Sequence, residues 1–217
     1  MKLRAAALSD IGLHRSRNED RWLADLPRGI FGVADGVGGV PGGAEAAQAA
    51  KNSIVAFLAA TAEGGLPDLN AAVQIAHAAV IGRGRVVSPE TGIATTLTLG
   101  AFGDDQLELA HVGDSRCYCW HRGRFIRLTQ DHSDGRVLTR CLGLPEPLDV
   151  DLSTRTTLAG ERYLFCTDGL TNYASEADIA HIVGQSDEPR QIVENLIAAA
   201  IRGGGGDNIT AVAVIVG

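Results

Sequence analysis

Apolar residues in this chain follow two spacings, and each spacing predicts a different element. Where they recur every three or four positions, the pattern is typical of a helix that buries one face. That spacing predicts helices over about 44–61, 68–82, 176–183 and 189–202. Gly64 and Gly65 end the first of them, and Asp68, directly after Pro67, is the expected N-cap of the second.

Short apolar, β-branched or aromatic runs bounded by glycine or polar turns indicate buried strands. They lie at about 3–8, 21–24, 30–34, 95–101, 107–112, 117–120, 125–128, 148–158, 163–167 and 209–216, with a short helical turn expected over 137–142. Helices and strands do not alternate strictly, as they do in parallel α/β folds. The order therefore predicts an α+β fold with antiparallel sheets covered by helices, in one domain spanning 1–217.

Several predicted strands lie next to an aspartate that neighbours glycine, serine or asparagine. These aspartates are Asp35, Asp114, Asp168 and Asp207. One such pair is more often a simple turn. Carboxylates at the ends of several strands can converge, however, and they then repel one another unless a cation lies among them. Because oxygen ligands favour Mg²⁺ or Mn²⁺ over Zn²⁺, the recurrence predicts a metal-dependent active site at the edge of a β-structure.

Charge and cysteine content narrow the class of partner. The net charge is −7 and no Lys/Arg cluster stands out, which argues against a nucleic-acid or anionic-membrane partner. No apolar run approaches about 18 residues, so no membrane span is predicted and a cytoplasmic location is expected. Cys117 and Cys119 share one face of a predicted strand, and all four cysteines are expected to be free and buried rather than zinc ligands.

A polar cluster at 15–20 adds Arg15 and Asp20 between two predicted strands, which offers a phosphate clamp and a further cation ligand. With this cluster the chain resembles the metal-dependent protein serine/threonine phosphatases, the type 2C or PPM family, in their bacterial form. The matching segments occur in the family's order, at 9–12, 15–20, 33–39, 94–97, 111–116, 128–133, 138–143, 166–170 and 206–210. Together they cover the chain from one end to the other.

The resemblance implies an α-β-β-α sandwich, in which two central antiparallel sheets are flanked by helix pairs. It also implies a site for two Mn²⁺ or Mg²⁺ ions at one end, held by Asp20, Asp35, Gly36, Asp114, Asp168 and Asp207. In that assignment Asp35 bridges the metals and the Gly36 carbonyl is a further ligand. Asp20 acts through metal-bound water, and Glu19 is a further candidate for that role.

The remaining roles also come from the resemblance. Asp168 and Asp207 are the other direct ligands, and Asn208 orients Asp207. Arg15 binds the substrate phosphate, and Asp114 helps to hold a weaker third metal. The implied reaction is hydrolysis of phosphoserine and phosphothreonine in proteins by a metal-activated water, in opposition to a cognate bacterial Ser/Thr kinase.

Two departures from the family pattern affect these expectations. Val37 follows Asp35 and Gly36 where many eukaryotic members carry a histidine, so the general acid is unassigned. The segments 128–133 and 138–143 are nearly adjacent, so the flap between them is expected to be a short loop. This shortening leaves the site more open and removes an expected acidic partner of Asp114.

Alternatives remain open at this level. Some proteins with this fold are catalytically silent binding or regulatory modules, and an open site also suits small phosphate esters. The presence of Asp20, Asp35, Asp168 and Asp207 together favours an enzyme. Asp114 fits a metal ligand as well as it fits a structural role, as a partner of Arg116 or as part of a turn. A structural hydrogen bond is the expected role of His132, although a contact with substrate is the alternative.

Overall fold

Two antiparallel sheets lie face to face, with helices on the outer face of each. The computed structural model describes residues 2–37, 42–61, 65–135 and 137–217. Gly38 and Gly39 of one motif, and Gly64 at the predicted end of the first helix, lie outside the described residues. The predicted α+β fold with two central sheets flanked by helix pairs is confirmed.

The strands, numbered along the chain, are β1 Leu3–Asp10, β2 Asp20–Asp25, β3 Ile30–Asp35, β4 Leu97–Phe102, β5 Gln106–Val112, β6 Arg116–His121, β7 Arg124–Arg127, β8 Ser133–Asp134, β9 Val137–Leu138, β10 Asp151–Thr156, β11 Arg162–Cys166 and β12 Ile209–Val216. The helices are α1 Gly43–Ala60, α2 Leu69–Val87, α3 Asp168–Thr171, α4 Glu176–Gln185 and α5 Pro189–Arg202. One sheet has the order β1-β12-β11-β6-β7, and the other has β10-β5-β4-β3-β2.

Residue alternation along the strands builds three apolar layers. Every residue of β12 is buried because both faces of the strand are covered. Val212 faces the opposite sheet and Ala213 faces the helices. In the same way Cys117 and Cys119 of β6 enter the layer between the sheets while Tyr118 packs beneath the helices, as the two-residue spacing predicts. The four cysteines are free and buried.

Local signals set the beginnings of the helices. The Asp68 carboxylate accepts a hydrogen bond from the Ala71 N–H at 2.9 Å, which confirms the predicted N-cap of α2. Helix α5 begins with Pro189, whose missing N–H costs nothing in a first turn. No helix in the described ranges is both long and apolar enough to span a bilayer.

The prediction of a helical turn over 137–142 is wrong. Strand β9 pairs with β8 in a small hairpin, and Gly135 lies in its turn with a φ of 61°. The Thr139 N–H donates to the His132 carbonyl at 2.9 Å, which closes the hairpin, and Leu142 then pairs with Thr95. The short flap is thus an ordered hairpin rather than a loop. The end of the segment is held by Thr95, a partner distant in the sequence that the local apolar spacing cannot reveal.

Candidate active site

The strand-end carboxylates lie at one end of the sandwich, as predicted. Asp20 opens β2 and Asp35 closes β3, and the two residues are direct partners in the ladder. In the other sheet, Asp168 follows β11 and Asp207 precedes β12. Strands β11 and β12 are neighbours in that sheet. In an antiparallel pair the end of one strand lies beside the start of the next. The topology therefore gathers four carboxylates at one edge.

A threonine connects the two sheets at this edge. Thr167 Oγ1 donates a hydrogen bond to Asp20 Oδ2 at 2.8 Å, and accepts one from the Thr210 N–H at 3.1 Å. Asp20 is only 3% exposed, and its other oxygen, Oδ1, is buried without a hydrogen-bond partner in the described structure. Sequence reasoning did not select Thr167, although it immediately precedes the Asp168-Gly169 motif.

Burial and mutual repulsion perturb these acids strongly. Burial raises the pKa of Asp20 to about 7, with smaller contributions from the charges of Asp168 and Asp207, although the neighbouring side chains of Thr210 and Thr167 act in the opposite direction. Burial also raises the pKa of Asp35 well above its usual value, with repulsion from Asp20 as the next cause. The pKa of Asp114 rises to about 6, again mainly through burial. Negative charge in this site is costly unless a positive charge offsets it.

The residues present fit a hard divalent cation. The donors are oxygen atoms, they are crowded, and Asp20 Oδ1 has no partner. Within the described ranges, no group of three or more His, Cys, Asp or Glu side chains is arranged closely enough to hold a metal ion in this conformation. Several carboxylates are instead hydrogen-bonded to protein groups. Asp168 Oδ2, for example, accepts from Asn172 Nδ2 at 3.0 Å.

The turn that carries Asp35 and Gly36 is held by hydrogen bonds between its backbone and threonine hydroxyl groups. The Asp35 N–H donates to Thr96 Oγ1 at 3.0 Å, and its carbonyl accepts from Thr95 Oγ1 at 2.8 Å. A Cβ on Gly36 would lie 2.1 Å from the carbonyl oxygen of Gly43 in the first turn of α1. Only glycine allows this close approach, which places α1 directly behind the predicted metal-binding turn.

Arg15 lies at the same edge, as predicted. Its Nη2 donates to Asp207 Oδ2 at 2.8 Å, and the side chain is 37% exposed. The loop that carries it is fixed to the glycine run before β12, because the Leu13 N–H donates to the Gly205 carbonyl at 2.7 Å. Arg15 therefore presents a positive charge beside the carboxylates while part of its guanidinium remains open to solvent.

Asn208 makes more contacts than the sequence predicts. Its backbone N–H donates to Asp207 Oδ1 at 2.8 Å, so the backbone supplies the expected contact with Asp207. The buried side chain instead holds the Arg15 loop. Nδ2 donates to the carbonyls of Ile11 and Arg17, both at 2.9 Å, and Oδ1 accepts from the Glu19 N–H at 2.8 Å.

Asp114 lies on the turn after β5, close enough to the centre for its charge to raise the pKa of Asp35. The alternative pairing with Arg116 is not observed, since Arg116 binds Asp131 through Nη2 at 2.7 Å and Nε at 3.0 Å. His132 makes the expected structural contact, because its Nδ1 accepts from the Gly113 N–H at 3.2 Å.

Two cavities open onto the carboxylates, and Arg15, Asp114, Asp168 and Asp207 line both. The larger, of about 740 Å³, is polar and includes Arg116, Ser133 and Tyr173. The smaller, of about 470 Å³, has an apolar wall formed by Val37, Val137, Leu138 and Leu144. The apolar wall comes largely from the flap hairpin, whose conformation the sequence did not predict.

The fold and this site define a two-sheet α-β-β-α protein. A cluster of carboxylates of the kind that binds divalent cations lies at one end of its sandwich. The family model described as protein phosphatase 2C matches residues 14–193. The chain therefore belongs to the protein phosphatase 2C family, which confirms the resemblance found in the sequence.

Individual relatives agree with the family assignment. The chain is 34% identical over 232 residues to the serine/threonine protein phosphatase PstP of Mycobacterium tuberculosis, covering 97% of this chain and 44% of PstP. It thus spans less than half of that relative's length. It is 27% identical to the protein phosphatase PhpP of Streptococcus pneumoniae, with 94% of this chain and 93% of PhpP covered.

A solved structure extends the agreement to three dimensions. The crystal structure of the catalytic domain of PstP in complex with two manganese ions superposes on this chain with a TM-score of 0.86 and 33% identity. The superposition covers 98% of this chain and 97% of the solved one. The likeness therefore includes both sheets and the edge on which the carboxylates lie.

Proposed function

We propose that this protein is a metal-dependent protein serine/threonine phosphatase that binds two Mn²⁺ or Mg²⁺ ions. The observation that carries the proposal is the convergence of Asp20, Asp35, Asp168 and Asp207 beside Arg15, at the expected end of a protein phosphatase 2C fold. Phosphoproteins as substrates, an opposing Ser/Thr kinase, and a cytoplasmic location belong to the same proposal.

The carboxylates have different proposed roles in binding the cations. Asp35, the Gly36 carbonyl, Asp168 and Asp207 would hold the ions directly, and Asp20 would act through water. When bound, the ions lower the pKa of water and offset charge on the phosphoryl group. Asp114 would contribute to a weaker third site.

The chain's own groups position the substrate. Arg15 would bind phosphoryl oxygens through its exposed guanidinium, which fits a tetrahedral oxyanion better than a point charge does. Thr167 holds Asp20 in place from the other sheet, and Asn208 holds the Arg15 loop at three points. None of the four cysteines lines the carboxylate edge as an activated thiolate. Cys141, the one beside it, has a pKa raised to about 11 by burial.

The test is hydrolysis of a phosphothreonine peptide with Mn²⁺, with Mg²⁺ and with excess chelator, alongside Asp35→Asn as the inactive control. We expect turnover with either metal, none with chelator, and none with the variant. Full turnover in chelator, with no metal found by elemental analysis, would rule out the metal-dependent mechanism.

The same assay separates the alternatives. Comparable kcat/KM for small metabolite phosphates, with no advantage for the peptide, would identify a phosphate-ester hydrolase. Metal binding without turnover of any substrate would identify a regulatory module. The apolar and polar cavities that meet at the centre favour a substrate with residues on both sides of the phosphate, which supports the peptide.

A further inference from the structure

A basic pocket of about 330 Å³ lies on the outer surface where β2, α1 and α2 meet. We call it the Arg83 pocket. Its polar lining residues are Arg17, Arg21, Glu45, Gln48, Asn52 and Arg83. Three arginines and one glutamate leave two positive charges there, on a chain whose net charge is −7. The pocket is therefore a local exception to the protein's acidic surface.

The three arginines of the Arg83 pocket differ in their hydrogen-bond and ion-pair partners. Arg21 is anchored without a carboxylate partner, because Nε donates to Gln48 Oε1 at 2.6 Å and Nη1 to the Asp20 carbonyl at 2.7 Å. Arg17 is 63% exposed and contacts Glu45 at 3.2 Å. Arg83 is exposed on α2, and within the described ranges no carboxylate lies in ion-pair distance of it.

The pocket lies beside the predicted phosphate-binding loop. Arg17 follows Arg15 by two residues, and Arg21 binds the backbone of Asp20. The first turn of α1 separates the pocket from the centre, since Gly43 touches Gly36 on one side while Glu45 lines the pocket on the other. An extended peptide advances about 3.3 Å per residue. Residues a few positions from a bound phosphoresidue can therefore extend past the first turn of α1 to the pocket.

We propose that the Arg83 pocket binds acidic side chains that flank the phosphorylated residue of a protein substrate. This inference rests on the proposed phosphatase function. A chain of net charge −7 repels an acidic substrate at long range, and a basic pocket beside the site reverses that repulsion locally. Arg83 supplies an exposed charge that interacts electrostatically with Glu45 but makes no ion-pair contact within the described ranges, and Arg21 forms a fixed wall of the pocket.

The test compares phosphothreonine peptides that differ only in their flanks. One carries three aspartates before the phosphoresidue, one carries three after it, and one carries glutamines at all of these positions. We expect KM to be about fivefold lower for one of the acidic peptides at low salt, an advantage that shrinks as salt screens exposed charges.

Two variants of α2 locate the effect. Arg83→Glu and Arg85→Glu change the net charge equally, but only Arg83 lines the pocket. We expect Arg83→Glu to abolish the preference for the acidic peptide, Arg85→Glu to keep it, and both to hydrolyse an aryl phosphate at the wild-type rate. Equal effects of both variants, or no preference in the wild type, would overturn the inference. Failure to hydrolyse any substrate with metal would instead overturn the phosphatase function.

Discussion

The guanidinium of Arg15 and the carboxylate of Asp207 form an ion pair, with Nη2 2.8 Å from Oδ2. This pair joins the residue proposed to bind phosphate to a residue proposed to bind metal. Both side chains are partly exposed, at 37% and 29%, so the pair contributes only about 1 kcal/mol or less. A cation at Asp207 and the guanidinium of Arg15 therefore compete for the same oxygen.

Replacing Arg15 by alanine should separate these two roles. We expect kcat/KM for an aryl phosphate to fall about 100-fold, because a bidentate contact with the phosphoryl group is lost. The Mn²⁺ concentration at half-saturation should fall severalfold, because Asp207 loses a competing cation. Calorimetric titration of Mn²⁺ measures the second effect independently of turnover. Weaker Mn²⁺ binding in the variant would show that Arg15 supports the metal site instead of competing with it.

Asp35→Asn should raise stability in the absence of metal and have little effect on it with metal bound. In excess chelator we expect the unfolding free energy to rise by about 1–2 kcal/mol, since a buried carboxyl group among like charges is removed. With saturating Mn²⁺ the variant should gain little, and turnover should be lost. Thermal melts in both conditions give the comparison. Asp105→Asn, on the exposed turn after β4, is the matched control and should behave as wild type in both.

Asn208→Ala should weaken catalysis more than metal binding. The variant leaves the carbonyls of Ile11 and Arg17 and the Glu19 N–H without their partner, which costs about 2–4 kcal/mol of stability. We expect kcat/KM to fall at least tenfold, because the Arg15 loop is released. The backbone N–H that contacts Asp207 remains, so the Mn²⁺ midpoint should shift less.

These effects of Asn208 can be checked against an exposed asparagine. Asn195→Ala removes only a surface hydrogen bond with Gln191 on α5, and all its values should stay near wild type. If Asn208→Ala lost metal affinity and kcat/KM in equal proportion, its main role would be to hold Asp207 and not the loop.

His111 should give the protein a defined acid sensitivity. Burial lowers its pKa from 6.5 to about 4, with a smaller contribution from the neighbouring His132, although the hydrogen bond with the Gln130 carbonyl and the charges of Asp151 and Asp131 act in the opposite direction. His111 therefore binds a proton near pH 6.5 in the unfolded chain but only near pH 4 in the folded chain. Stability from this residue is present above pH 6.5 and is lost as the pH falls through that window.

The size of this loss is about 3 kcal/mol between pH 6.5 and 4, from 1.36 kcal/mol per pKa unit. Urea unfolding of wild type and His111→Gln across this range measures it as the difference between the two curves. Because both proteins contain the site carboxylates, the titration of those groups cancels in the difference. Parallel curves would show that His111 binds a proton in the folded chain as readily as in the unfolded chain.

Much of the fold could be predicted because its signals are local. The apolar face of α1, the cap at Asp68 and the first residue of α5 depend on neighbours within a few positions. The run over Ile209–Val216 is long, apolar and bounded by glycine, so its strand was predicted residue for residue. The candidate site residues could be named for a similar reason, since each follows or precedes a strand in a short, recognisable motif.

Other features depend on contacts between distant segments, and only the tertiary structure decided them. The flap hairpin is anchored at both ends by distant segments, because the His132 N–H donates to the Gly113 carbonyl and Leu142 pairs with Thr95. The role of Asn208 comes from a loop nearly 200 positions earlier, and the charge of the Arg83 pocket from three segments that are separate in the sequence. Sequence spacing contains neither the distance nor the direction of such contacts. The sequence alone determined most of the elements and the candidate site residues, whereas packing of the two sheets and their helices determined what those residues touch.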